Sequence, residues 1–210
     1  MLRGIRLTLL SIATVLGLCL FLALPSFAVE RGLSRQVVAE ISLARKNPRE
    51  YANYLKEFRG EFRGNAYLLP GKRAMVETRE GVAAVDEAIR YLARQRPLPP
   101  LAWSARLAAA AGDLAGEEGA SGAIGHHGRA AGGPVKRILR HGERPAAMGE
   151  NIFYGRGDAR LVVMSLIIDD GVPDRGHRKN IFSPAFTSAG AACGPHPRFG
   201  ALCVIDFAGD

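Results

Sequence analysis

The sequence predicts a single α+β domain behind an N-terminal export signal. Apolar residues recur at helical spacing through much of the chain between residues 34 and 169. Two short apolar runs, at residues 189–193 and 201–207, then close the chain around a turn-rich segment, as in a β-hairpin. Residues 29–210 fit one domain of ordinary size, with a core large enough to be stable alone.

Residues 1–28 have the three parts of a secretory signal peptide. Arg3 and Arg6 form a positive start, residues 7–24 are almost wholly apolar, and small residues precede a cut after Ala28. The apolar stretch also reaches the lower length limit for a membrane-spanning helix, so an uncleaved anchor is the alternative. The small residues at its end favour cleavage. We therefore expect a secreted or periplasmic protein with no stable membrane span after signal cleavage.

The charge of the chain bears on its partners. The formal net charge is +8 at pH 7. A basic exported protein is suited to anionic envelope components such as phospholipid head groups or cell-wall polymers. The sequence contains no recognisable nucleic-acid-binding motif, and export argues against nucleic acid as a partner.

Two cysteines, Cys193 and Cys203, follow the predicted cut. Thiols oxidise in an exported context, and these two flank the turn-rich segment 194–200 between the closing strands. We predict a Cys193–Cys203 disulfide that stabilises this hairpin and has no catalytic role.

Helix start signals divide the chain into elements. Each is an N-cap residue or a proline in the first turn. The predicted starts are Ser34, Asn47-Pro48, Thr78, Ser104, Pro134 and Asp158. Residues 59–77 are basic and are interrupted by glycine and proline, so they are predicted to form a long surface loop.

Two segments rich in turn-forming residues carry the best candidates for chemistry. Gly149-Glu150-Asn151 supplies a carboxylate, and residues 176–180 supply His177. A histidine with a carboxylate is the minimal set for metal ligation or proton transfer. The alternative is structural: His177 begins a short helix and Glu150 caps a strand. The neighbours His126 and His127 suggest a metal-binding tip, in which one of the two is expected to be idle.

Six motifs in this order carry a resemblance to a known family. They are Asn47-Pro48 with Tyr51, Leu98-Pro99-Pro100-Leu101 before Trp103-Ser104, Gly125-His126, Gly149-Glu150-Asn151-Ile152, Gly176-His177-Arg178-Lys179-Asn180-Ile181 and Val204-Ile205-Asp206-Phe207-Ala208. Together they resemble the CAP superfamily, which groups cysteine-rich secretory proteins, antigen 5 and the plant pathogenesis-related 1 proteins. The chain is similar to its bacterial SCP-like branch over residues 34–208.

The resemblance implies a three-layer α-β-α sandwich with a central antiparallel sheet. It also implies a surface cavity with two histidines and two acids, which in relatives takes a divalent metal such as Zn²⁺. By position, the metal-site residues fall on His126, Glu150 and His177. The second acid, usually a glutamate, falls on Asp169 or Asp170, and aspartate ligates zinc at a similar oxygen distance.

Three functions are compatible with these residues. The resemblance favours a binding or effector module that presents the cavity, or an apolar groove beside it, to a lipid, sterol, glycan or protein. A metal-dependent hydrolase would use His126, His177 and a carboxylate with an open position for water. Against it, the chain lacks the His-Glu-x-x-His spacing of common zinc proteases and the Gly-x-Ser-x-Gly elbow. The third alternative is a structural polar network without metal.

Overall fold

The structure, a computed structural model, describes residues 25–68 and 75–210. The predicted signal peptide, residues 1–28, lies outside these residues except for Pro25 to Ala28, which begin the first helix. The cut after Ala28 therefore stays a prediction. None of the helices in the described part of the chain combines the length and the hydrophobicity that a membrane span requires.

The described residues form seven helices and seven strands. The helices are α1 (Pro25–Lys46), α2 (Pro48–Arg59), α3 (Val82–Arg94), α4 (Ala105–Ser121), α5 (Pro134–Arg140), α6 (Ala159–Ile168) and α7 (Gly176–Ile181). The strands are β1 (Phe62–Arg63), β2 (Ala66–Leu68), β3 (Met75–Glu77), β4 (Ala102–Trp103), β5 (Ala147–Tyr154), β6 (Ser188–Gly194) and β7 (Leu202–Gly209).

Four strands form the central sheet, in the order β4-β6-β7-β5. Strands β6 and β7 form the predicted closing hairpin, and β5 pairs antiparallel with β7 along its whole length. The two-residue β4 runs parallel to β6, so the predicted antiparallel sheet has one short parallel edge. Cys193 lies opposite Cys203 in the hairpin, and the predicted disulfide joins them.

Helices cover both faces of this sheet, which confirms the predicted α-β-α sandwich. Val204 packs with Ala111 and Leu114 of α4 on one face. Ile205 joins the larger core on the other face, where α1 and α6 pack. Successive side chains of a strand point to opposite faces, so β7 contributes alternately to the two layers.

The joint between the first two helices forms where the sequence predicts it. Pro48 occupies the first position of α2, directly after Asn47. The predicted cap at Ser34 is wrong, because α1 begins earlier, at Pro25. Ser34 instead lies within α1, and its Oγ accepts a hydrogen bond from the backbone N–H of Cys193 at 3.0 Å.

The predicted helix caps at Ser104 and Asp158 are confirmed. Ser104 and Asp158 accept hydrogen bonds from the backbone N–H groups of Leu107 and Leu161, at 3.2 and 2.8 Å. Helix α3 begins at Val82 rather than Thr78, since Gly81 takes the cap position with a φ of 61°.

In residues 59–68 and 75–77, the structure does not have the predicted irregular loop. The described part of this stretch contains a small antiparallel sheet in the order β1-β2-β3. Three rings hold it to α2: Phe58 lies 5.4 Å from Phe62 and 4.7 Å from Tyr67, centroid to centroid. The glycine and proline residues obscured this pattern, because the strands are only two or three residues long.

Candidate functional site at the edge of the central sheet

The edge strand β5 carries the Gly149-Glu150-Asn151 motif, and α7 packs against it. The Asn180 amide donates to the backbone O of Glu150 at 3.2 Å and to Oδ1 of Asn151 at 2.8 Å. The Asn151 amide donates to the backbone O of His177 at 3.0 Å. A Cβ at Gly149 would lie only 3.1 Å from Oδ1 of Asn180, so glycine permits this contact. The two motifs are therefore bound directly to each other.

The first histidine pair consists of His126 and Glu150. Nδ1 of His126 lies 2.7 Å from Oε1 of Glu150, and the other carboxylate oxygen forms an ion pair with Arg137. Arg137 also donates to the backbone O of His126 at 3.2 Å. The side chains of Arg137 and Glu150 are buried, whereas that of His126 is 45% exposed. Both Glu150 oxygens are thus engaged, while Nε2 of His126 has no hydrogen-bond partner among the described residues.

The second pair consists of His177 and Asp169. Nδ1 of His177 lies 2.6 Å from Oδ1 of Asp169, and Oδ2 accepts from the backbone N–H of His177 at 2.9 Å. Asp169 ends α6 in the left-handed conformation, with a φ of 57°, which aims its carboxylate at the start of α7. Nε2 of His177 likewise has no partner within residues 25–68 and 75–210.

The structure distinguishes the neighbours that the sequence left open. Asp170 does not pair with His177; its carboxylate accepts from the backbone N–H groups of Arg79 and Glu80, at 2.7 and 2.8 Å. Asp170 therefore joins the loop after α6 to the segment just before α3, and it does not contact the histidines. His127 is exposed and lies beside Gly133, so His126 is the residue paired with Glu150.

An ion-pair network holds the segment before His177. Arg175 donates to both carboxylate oxygens of Glu80 at 2.7 Å and to the backbone O of Asp169 at 2.7 Å. Its guanidinium holds the pKa of the Glu80 carboxyl down at about 2. Arg178 similarly pairs with Glu87, with both distances at 2.7 Å. These contacts fix α7 against α3 and so fix His177.

Tyr154 positions the segment that carries His126. Its hydroxyl donates to Oε2 of Glu118 at 2.8 Å and accepts from the backbone N–H of Gly125 at 2.7 Å. Burial raises the pKa of Tyr154, and burial also raises the pKa of Glu118. These hydrogen bonds tie the residue before His126 to β5 and α4.

Sequence reasoning missed two charged residues beneath this site, Arg137 and Asp206. Both are fully buried. Asp206 lies opposite Glu150 in the β5–β7 ladder, and neither of its oxygens has a hydrogen-bond partner in the described part of the chain. Burial, reinforced by the Glu150 carboxylate, raises the pKa of Asp206 to about 9. Its position between Ile205 and Phe207 in an apolar strand was the available signal.

The four predicted residues thus form two histidine–carboxylate pairs beside β5. Across the described ranges, no group of three or more His, Cys, Asp or Glu side chains is arranged to hold a metal ion. The Nε2 atom of each imidazole remains available to bind a metal ion.

Two cavities lie beside strands of the central sheet. The first, which we call the α4 groove, has a volume of about 850 Å³ and runs along the alanine and glycine residues of α4 beside Trp103 and Arg35. The second, the aromatic cavity, has a volume of about 290 Å³ and contains Asp169 and His177 in its wall.

Comparison with known proteins places these features in a family. The family model of the cysteine-rich secretory protein family, CAP, matches residues 52–207. Among solved structures, the chain is similar to an extracellular SCP-domain protein from Bacillus anthracis, with 19% identity and a TM-score of 0.46 over 62% of this chain and 38% of that one. No match was found among curated proteins.

Two further solved structures are similar at comparable levels. An outer surface protein from Borrelia burgdorferi has 18% identity and a TM-score of 0.45, over 53% of this chain and 79% of that chain. A cysteine-rich secretory protein from Staphylococcus aureus has 15% identity and a TM-score of 0.40, over 60% of this chain and 37% of that chain. The chain therefore spans well under half the length of the Bacillus and Staphylococcus proteins.

Proposed function

This chain belongs to the cysteine-rich secretory protein (CAP) family, and we propose that it acts as an exported binding module that holds a divalent cation such as Zn²⁺. One observation carries the proposal. In both pairs, Nδ1 of the imidazole is bound to a carboxylate while Nε2 is left without a protein partner. Metal-ligating histidines commonly have this arrangement, because the carboxylate fixes the tautomer and the orientation of the ring.

The proposed ligands are the Nε2 atoms of His126 and His177. Glu150, which the sequence indicated as a third ligand, takes an orienting role in this proposal, because Arg137 and His126 engage both of its oxygens. Asp169 has the same role behind His177. A bound Zn²⁺ would supply a positively charged site for an electron-pair donor of an envelope ligand.

The same geometry favours binding over hydrolysis. A hydrolase at this site would need a carboxylate free to accept a proton from water. Glu150 would have to leave a buried ion pair with Arg137 to do so, and Asp169 would have to leave His177. We therefore assign the two carboxylates to orientation of the imidazoles.

Calorimetric titration with ZnCl₂ tests the proposal. The parent protein and His127→Ala should bind zinc, since His127 lies outside both pairs. His126→Ala and His177→Ala should each lose the binding heat while keeping the circular dichroism spectrum of the parent. If the parent protein shows no heat with zinc, the pairs are a structural polar network and the proposal fails.

The α4 groove favours a second function, binding of a lipid acyl chain. Its lining is largely apolar and includes the small residues of α4, and the Arg35 guanidinium lies 4.6 Å from the centroid of the Trp103 ring. An acyl chain would bury apolar surface in the groove, and Arg35 would attract an anionic head group.

A groove-filling variant tests lipid binding. A Cβ at Gly116 would have no atom within 4 Å, so Gly116→Leu places a side chain in the open groove. It should reduce binding of a fluorescent fatty acid, and Ala83→Leu, on the exposed side of α3, should not. Equal binding by the parent and Gly116→Leu would rule out the groove as the lipid site.

A further inference from the structure

The aromatic cavity lies between the small β1-β2-β3 sheet and β5. Its apolar wall includes five rings, from Phe58, Phe62, Tyr67, Phe153 and Tyr154. Phe58, Phe62 and Tyr67 contact one another and fix this wall, with centroid distances of 4.7 to 5.4 Å. The function proposed above uses only His177 and Asp169 of its wall.

The polar wall of this cavity is acidic although the chain is basic. The sequence has 28 Lys and Arg against 20 Asp and Glu. Among the described residues that line the cavity, however, the charged side chains are Glu77, Asp169 and Asp170, with His177 and without any Lys or Arg. An apolar cavity in which the described fixed charges are carboxylates is complementary to a cation.

The three carboxylates differ in how far they are already neutralised. Asp169 is paired with His177 at 2.6 Å. Asp170 accepts only from backbone N–H groups, which leaves its net charge in place. Glu77 is exposed, and its carboxylate makes no hydrogen bond or ion pair with the described residues. Among the described residues of the wall, Asp170 and Glu77 are therefore the two carboxylates without a compensating positive charge.

Burial and nearby carboxylates raise the pKa of both tyrosines in the wall. Burial raises the pKa of Tyr67, and the Asp170 carboxylate raises it further. Burial likewise raises the pKa of Tyr154, with added contributions from Glu118 and Glu150. Both phenols therefore stay neutral and present ring faces and edges to the cavity, beside a negative potential.

We propose that the aromatic cavity binds a small organic ammonium ion. Its alkyl groups would contact the aromatic rings, and its positive charge would face Asp170 and Glu77. Aromatic rings attract alkylammonium groups through the negative potential of their faces, and carboxylates at the rim strengthen this attraction. The volume of about 290 Å³ suits a head group of a few carbon atoms and excludes a sterol.

The test compares three ligands of nearly equal shape on protein freed of metal by chelator. The first is choline. The second is the neutral alcohol in which a tert-butyl group replaces the trimethylammonium group of choline, and the third is the anion tert-butylacetate. Choline should bind roughly 2- to 30-fold more tightly than the neutral isostere, the range that a cation–π contribution spans. The anion should not bind. Choline binding no tighter than that of the neutral isostere would overturn the proposal.

A matched pair of variants locates the site. Glu77→Gln should weaken choline binding roughly 2- to 5-fold, as expected for loss of an exposed charge contact. Glu61→Gln removes an exposed carboxylate outside the cavity and should leave the affinity unchanged. Equal weakening by both variants would show that net charge, and not this cavity, controls binding, and it would refute the proposal.

Two further arms separate the source of the ligand and the dependence on zinc. If phosphatidylcholine vesicles displace choline, the natural ligand is a lipid head group. If these vesicles leave choline binding unaffected, the natural ligand is a free amine. Both outcomes support an ammonium site. His126→Ala should lose zinc binding and keep choline binding, because His126 does not line the aromatic cavity. Loss of choline binding in folded His126→Ala would contradict the proposed location.

Discussion

Glu150 on β5 lies directly opposite Asp206 on β7, and both carboxyl groups are buried on the same face of the sheet. Like charges in directly opposed positions of an antiparallel pair are destabilising. Arg137 supplies one positive charge beside them, which balances one carboxylate. The second carboxyl group, Asp206, accordingly keeps its proton, and its pKa is raised to about 9.

This relationship predicts a specific pH dependence of stability. Because the folded-state pKa of Asp206 lies above its unfolded value of about 3.9, its contribution is fully present below about pH 4. It is lost as the pH rises towards 9, by at most about 1.4 kcal/mol per pH unit. Asp206→Asn is nearly isosteric and always neutral, so it should lack this slope. Urea unfolding of both proteins between about pH 5 and pH 8 measures the difference. Parallel stability curves would show that Asp206 is ionised in the folded protein.

Removal of Arg137 should destabilise the protein through Glu150. Arg137→Met leaves a buried carboxylate without its cation, which typically costs about 3–5 kcal/mol. The double variant Arg137→Met with Glu150→Gln removes both charges and should recover much of that loss. Chemical denaturation of the parent, both single variants and the double variant gives the coupling energy. Additive losses would mean that the two side chains are not coupled.

Neutralising Asp169 should weaken zinc binding without abolishing it. Asn tolerates the left-handed φ of 57° at this position, so Asp169→Asn should fold. Loss of the charged orienting partner should reduce zinc affinity by about 10- to 100-fold. Asp174→Asn, in the exposed turn before α7, is the control and should bind zinc like the parent. An unchanged zinc affinity in Asp169→Asn would show that the Asp169 carboxylate does not orient His177.

Arg45 should be more important for stability than its position in a helix suggests. It is 1% exposed and donates to the backbone O atoms of Pro99, Ile181, Ser183 and Phe186 at 2.8 to 3.0 Å. Arg45→Ala should therefore cost about 3 kcal/mol or more, because buried carbonyl groups lose their donors. Arg45→Lys should recover only part of this loss, since one ammonium cannot match the planar guanidinium. Full stability in the lysine variant would show that the charge alone matters.

The disulfide should contribute to stability and not to ligand binding. Cys193 and Cys203 are separated by ten positions, and closing a loop of this length stabilises a protein by about 2–3 kcal/mol. The double variant Cys193→Ala with Cys203→Ala should lower the urea midpoint by a corresponding amount. Zinc titration of the folded double variant should match that of the parent. A large loss of zinc binding there would indicate that the hairpin positions the histidine pairs.

The sequence by itself determined features that depend on neighbours along the chain. The α1–α2 joint at Asn47, the caps Ser104 and Asp158, and the Cys193–Cys203 hairpin all formed where local signals predicted them. Helix starts and tight hairpins are set by contacts over a few residues, so their signals survive without tertiary information. The order of the family motifs likewise indicated the sandwich.

Tertiary structure alone decided which side chains meet. Asp169 and Asp170 are adjacent, yet one carboxylate binds His177 and the other binds the segment just before α3. The Arg137–Glu150 pair beside Asp206 joins residues from α5, β5 and β7. Such pairing depends on burial and on the register between strands distant in sequence, which residue order does not encode locally.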